Sequence, residues 1–128
     1  MLPEERAREK IDRQLKKAGW DIVSREEYIP HSASAVKEAL MQGNTESDYL
    51  LFVDDKAIAV VEAKREENPL GPEVKKQAED YARGPQNWYG LWYQGLIPLV
   101  YMANGKKIYF KNMLTDPDGD YVELSKMH

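Results

Sequence analysis

Apolar residues along this chain fall into spaced stripes and continuous runs, and each pattern predicts a different element. Ala7, Ile11, Leu15 and Ala18 recur at spacings of four, four and three, the one-sided stripe of an amphipathic helix. Pro3 suits a first helical position, Glu4 and Glu5 the positive end of the helix dipole, and Lys16 and Lys17 its negative end. Gly19 supplies a stop, so a helix is predicted over about 3–18. At about 100° per residue, Glu4 falls close to the apolar stripe and Glu5 well away from it. An acid on the buried side of a first turn is unusual.

Two continuous runs follow, YLLFV (49–53) and AIAVVEA (57–63), with Asp54, Asp55 and Lys56 between them as a hairpin turn. Neither run has a polar face, which places the hairpin centrally in a sheet covered on both sides. WDIVS (20–24) reads as a short strand. Residues 32–42 carry helix formers between loop-like flanks and predict no single element. ENPLGP (67–72) is a loop, and Pro72 opens a second helix to about Arg83, ended by Gly84-Pro85. QNWYGLWYQG (86–95) suggests a short helix from its i,i+4 aromatic pairs, Trp88/Trp92 and Tyr89/Tyr93. LIPLVYM and KIYF flank Asn104-Gly105, a strong hairpin signal, and the tail is polar and turn-rich. Helix, strands, helix, strands predicts an α/β fold: one domain over 1–128, a central mixed β-sheet flanked by α-helices.

Composition narrows the classes. At 128 residues with 42% hydrophobic and 31% charged content, the chain suits a single well-solvated domain. No apolar run approaches the roughly 20 residues of a membrane span, and MLPEERAREK has charges where a signal peptide needs an apolar core. The absence of cysteine removes disulfides and thiolate metal sites and makes a reducing, cytoplasmic setting the simplest expectation. A net charge of −4 counts against autonomous nucleic-acid binding.

The chemistry concentrates in the first hairpin. Side chains alternate along a strand, so Glu62 and Lys64 share a face, and a tight hairpin places Asp48 beside Glu62 although 14 residues separate them. Two carboxylates that close repel unless a proton or a cation lies between them. A hard divalent cation, Mg²⁺ with Mn²⁺ as a substitute, is the natural partner for such oxygen donors. A lysine beside it would orient or deprotonate a water, or neutralise charge building on an oxyanion. Charged strand ends are common and an isolated E-x-K would carry little weight, but Glu62 and Lys64 extend a run with no polar face, and Asp48 sits at the matching position. The set points to phosphodiester hydrolysis. In the second helix, Gln77 and Tyr81 are an i,i+4 pair on the face of Val74 and Ala78.

SDYLLFVDDKAIAVVEAKRE followed by QAEDYA resembles the N-terminal nuclease domain of the restriction (R) subunit of type I restriction-modification enzymes, within the PD-(D/E)xK nuclease superfamily. The resemblance implies a restriction-endonuclease-like core. It matches Asp48 to the metal-binding Asp, Glu62 and Lys64 to the E-x-K, and Gln77 and Tyr81 to a Q-x-x-x-Y motif. The backbone carbonyl of Ala63 would join Asp48 and Glu62 on the metal. EERAREKIDRQLKKAGW resembles the opening helix, in which an acid four residues before an arginine approaches the site; Glu4 and Arg8 fit that spacing, and Glu4 would be an outer or additional ligand. IPLVYMANGKKIYF resembles the closing strand pair. Ser47 stands where the superfamily's name has proline, and region 31–44 is harder to match. No G-x-x-x-x-G-K-[ST] loop occurs, so ATP would act only through a motor domain outside this chain. The expectation is an excised domain of a longer subunit, the net charge favouring this over a stand-alone relative. Its partners would be double-stranded DNA and, through the full-length protein, methyltransferase and specificity subunits.

Two alternatives use the same residues: a non-catalytic docking module of this fold, and a junction- or end-specific nuclease of the superfamily. Metal binding separates the first and substrate tests the second. Aromatics at 88–93 are expected to be core, Lys106 and Lys107 solvated, and DPDGD (116–120) a turn, since its glycine sits at the fourth position where a Ca²⁺ loop needs it sixth. His31 and His128 share no ligand spacing with other residues.

Overall fold

The structure, a computed structural model, describes residues 3–25, 33–42, 45–65, 72–84, 90–91, 96–115 and 119–128. Helix α1 spans Pro3–Lys17 and buries Ala7, Ile11 and Leu15, the predicted stripe. It ends where Gly19 adopts φ 103°, with Gly19 N–H donating to the Lys16 carbonyl at 3.0 Å and Trp20 N–H to the Leu15 carbonyl at 3.0 Å. That pairing is a Schellman cap, and a left-handed residue at its hinge favours glycine.

The strands are β1 (Asp21–Val23), β2 (Ser34–Met41), β3 (Thr45–Val53), β4 (Lys56–Ala63), β5 (Gly90–Leu91), β6 (Leu99–Ala103), β7 (Ile108–Asn112) and β8 (Val122–Leu124). They form one mixed sheet in the order β1-β2-β3-β4-β6-β7-β8, with β5 pairing to β4 off that path. β1/β2, β4/β5 and β4/β6 are parallel, and the remaining neighbours are antiparallel. Between β4 and β6 runs helix α2 (Pro72–Arg83), the crossover that a parallel pair requires. It packs Ala78 and Ala82 against Leu50, Val60, Val100 and Met102 on one face of the sheet. On the other face, Ile11 and Leu15 of α1 pack with Tyr49, Leu51, Val61 and Tyr101. β3 and β4 are therefore central and covered on both sides, as their apolar runs predict.

Residues 34–41, for which the sequence predicts no single element, are strand β2, and Gly90–Leu91, within the expected short helix, is strand. Trp88, Tyr89, Trp92 and Tyr93 lie outside the described residues, as does His31. The tail adds β8 and buries Met127, while the His128 ring meets Phe110 edge-on at 5.2 Å.

The β3–β4 hairpin differs from expectation in its turn. The linking residues are Asp54 and Asp55, both left-handed at φ 49° and 67°, and Lys56 already belongs to β4, paired with Val53. Left-handed conformation at both central residues is the geometry of a two-residue hairpin turn that follows strand twist. Pairing runs Val53↔Lys56 and Phe52↔Ala57, then shifts to Leu51↔Ala59, Leu50↔Val60 and Tyr49↔Val61. Ile58 is thus the extra residue of a β-bulge. Continued without it, the first register would set Asp48 against Val61 and turn Glu62 to the opposite face. With it, Asp48 meets Glu62.

Candidate active site

The open end of this hairpin lies where α2 crosses the sheet. On β3, Leu50 and Phe52 face α2, as Val60 does on β4, and Asp48, Glu62 and, just past the end of β4, Lys64 continue these rows into one cavity. Glu62 is 2% exposed. Asp48 N–H donates to Glu62 Oε1 at a long 3.4 Å, and Ala63 N–H donates to Asp48 Oδ2 at 2.8 Å. In an extended strand a residue's N–H and C=O share one edge, so the Ala63 carbonyl also lies on the β3 side, whereas Lys64 N–H turns to the Ala103 carbonyl of β6 at 2.9 Å.

A cavity of about 130 Å³ opens here, lined by Arg8, Glu46, Asp48, Glu62, Ala63, Lys64, Gln77 and Tyr81. The structure therefore brings together Asp48, Glu62, Ala63, Lys64, Gln77 and Tyr81, the residues singled out in the sequence. Gln77 Nε2 donates to Tyr81 Oη at 3.4 Å on α2. A wider groove of about 560 Å³ continues from the same two side chains past Gln42, Thr45 and Gly84. Gly84 is placed by its carbonyl, which accepts from Gln42 N–H at 2.9 Å and ties the end of α2 to the end of β2.

Burial raises the Glu62 carboxyl, and the charge and hydrogen bonding of Asp48 raise it further, so that it is pushed up to about 9 despite the Lys64 ammonium and its backbone donor. Burial also raises the Tyr81 hydroxyl, followed by the charge of Glu62. Asp48 finds its own counter-ion in Arg8, whose Nη2 pairs with Asp48 Oδ1 while Nη1 lies 3.4 Å from Glu38 Oε1. Burial works against the Arg8 charge, but Asp48, with smaller help from Tyr49 and Glu38, outweighs it and the net shift is upward. Tyr49, beneath the site, donates its hydroxyl to Asp12 of α1.

Glu38 lies beside Asp48 in the ladder, between the pairs Lys37↔Tyr49 and Ala39↔Ser47, and is left-handed at φ 53°. Ser47 is buried and donates Oγ–H to the Tyr49 carbonyl at 3.3 Å. The Glu4 side chain lies outside the described residues. Sequence reasoning missed Glu46 and Glu38 as neighbours of the site. No local signal marked Glu38.

The donors around Asp48 and Glu62 suit a hard cation. They are oxygens, and a buried acid against a second acid is the arrangement that a divalent ion relieves. Among the described residues no group of three or more His, Asp or Glu side chains is gathered for a metal. The set is thus two carboxylates with backbone and solvent oxygens, and Mg²⁺ tolerates such a set because it keeps several waters.

A lysine charge network supports α2 from behind. Lys111 of β7, 6% exposed, places Nζ 3.4 Å from Glu79 Oε1, and Tyr121 donates its hydroxyl to Glu79 Oε2 at 3.2 Å. Burial, then Glu79, raises the Tyr121 hydroxyl.

Among solved structures, the type IIG restriction endonuclease BpuSI is similar, with a TM-score of 0.59 at 18% identity over 92% of this chain. The chain spans 12% of that structure's length. At that identity the likeness concerns the fold, which is shared with part of a restriction endonuclease. A comparison with curated protein sequences finds no match. Residues 29–118, more than half of the chain and including both strands of the site hairpin and all of α2, match a family described as type I restriction enzyme EcoKI endonuclease subunit second domain. The chain belongs to that family and is a restriction endonuclease-related domain.

Proposed function

We propose that this domain hydrolyses DNA phosphodiester bonds with Mg²⁺, or Mn²⁺ in its place, as the nuclease of a type I restriction enzyme R subunit with a PD-(D/E)xK core. The observation that carries the reading is the facing pair Asp48 and Glu62 in one small cavity with Lys64, Gln77 and Tyr81. Asp48, Glu62 and the Ala63 carbonyl would hold the ion, and Glu4 would act as an outer or additional ligand. The bound cation would supply Lewis acidity and positive charge toward a phosphate oxygen.

The chain's own groups do the rest. Lys64 projects from the same face as Glu62 and would orient the attacking water and stabilise charge that builds on the phosphate as the bond breaks. Gln77 and Tyr81, one helical turn apart, would hold Lys64 or the DNA backbone by hydrogen bonds. Double-stranded DNA would be the substrate. Methyltransferase and specificity subunits, and an ATP-driven motor, would belong to the longer protein.

Lys64→Ala tests the assignment. The expected variant folds and binds Mn²⁺ as the parent does, yet cleaves DNA at least about 100-fold more slowly in the full-length enzyme. Normal cleavage would remove Lys64 from the mechanism.

A further inference from the structure

We propose that Arg8 is an exchangeable counter-ion, held by Asp48 in the metal-free protein and transferred to Glu38 when a divalent cation takes the Asp48 carboxylate. The inference rests on the metal-dependent reading above and deepens it. It begins with how the two Asp48 oxygens are used. Oδ2 accepts the Ala63 N–H at 2.8 Å, a bond built into the hairpin, whereas Oδ1 is paired with Arg8 Nη2. A guanidinium and a divalent ion repel, so occupancy of Oδ1 by the metal weakens the hold of Asp48 on the guanidinium.

Arg8 already has somewhere to go. Its other terminal nitrogen, Nη1, sits 3.4 Å from Glu38 Oε1. A planar guanidinium with donors on both prongs passes from one carboxylate to the next by rotating its outer bonds. Its side chain is 38% exposed and that of Glu38 58%, so this motion displaces no core. The helix is anchored by buried Ala7 and Ile11, which confines the movement to the side chain. Glu38, for its part, is held by ladder pairs on either side in a left-handed conformation that glutamate rarely adopts. An acid whose backbone is fixed beside Asp48 at such a conformational cost keeps an acceptor within reach of Arg8.

The alternative is that Arg8 and Glu38 act on the metal only through their net charges. A double-mutant cycle distinguishes the two. Mn²⁺ affinity would be measured by isothermal titration on the parent, Arg8→Gln, Glu38→Gln and the double variant, with circular dichroism confirming the fold. Arg8→Gln should bind Mn²⁺ about three- to tenfold more tightly, and Arg8→Ala should behave alike, as expected for loss of a partly exposed competing charge. Glu38→Gln should bind about two- to fivefold more weakly, because Arg8 is left with Asp48 as its partner. The double variant should match Arg8→Gln, since Glu38 acts through Arg8. An equal Glu38→Gln effect in both backgrounds, or a folded Arg8→Gln with unchanged or weaker affinity, overturns the exchange and leaves the metal site standing. A folded parent that binds no Mn²⁺ overturns both.

Discussion

Glu62 is buried directly against Asp48, whose own N–H lies 3.4 Å from Glu62 Oε1. Two charges cannot stand there unrelieved: Arg8 pairs with Asp48, and burial beside Asp48 favours the protonated form of Glu62. The folded carboxyl is raised above its ordinary value of 4.5 to about 9. Between those limits the folded chain binds a proton that the unfolded chain has released, so stability falls as pH rises through that window. Thermal unfolding without metal should show a midpoint lower by about 5 °C or more at pH 9 than at pH 5. Glu62→Gln should flatten the slope, and added Mg²⁺ should stabilise the parent more at pH 9 than at pH 6, because less proton must then be displaced. A slope unchanged in Glu62→Gln would place its origin elsewhere.

Tyr81 contributes a hydroxyl to the cavity and packs its ring partly against the core. Tyr81→Phe keeps the ring and removes one hydrogen-bonding group, so stability should stay within about 0.5 kcal/mol by urea titration. On the proposed function, DNA cleavage should fall about tenfold, because that hydroxyl would position Lys64 or the DNA backbone.

Lys111 is almost fully buried against Glu79, which Tyr121 and Arg83 also approach. Its removal leaves a half-buried carboxylate short of its closest cation. Lys111→Ala should cost about 2–3 kcal/mol in urea unfolding, less than an isolated buried pair because the other two partners remain. Lys111→Ala with Glu79→Gln should cost less than the two single changes added.

Most of this arrangement is legible along the chain. The stripe of α1, the Pro72-to-Arg83 span of α2 and the central hairpin follow from spacing and punctuation, and the structure keeps them. The cavity residues follow from two short periods, two from the end of β4 onward for Glu62 and Lys64 and four along α2 for Gln77 and Tyr81. β2 is not legible, because Ala, Lys, Glu, Leu and Met favour helix and only its place between β1 and β3 makes it strand. β8 hides in polar residues at the sheet's margin. The Arg8–Asp48 pair crosses 40 residues and two elements, a distance over which local pattern carries no signal. The sequence predicts a three-residue turn, which would place Asp48 opposite Glu62 without irregularity. The protein reaches the same pairing with a two-residue turn and a bulge.

That bulge gives the hairpin slack on one side only. Deleting Ile58 would bring Ala57 and Ala59 together and restore a regular ladder, while every pair from Leu51 outward keeps its partner. Mn²⁺ titration should then find the acidic pair intact in whatever fraction folds. One residue inserted between Val60 and Val61 has no irregularity to absorb it, and would send Glu62 to the α1 side of the sheet. Changes in length are therefore tolerable near the tip of the ribbon and ruinous near its mouth.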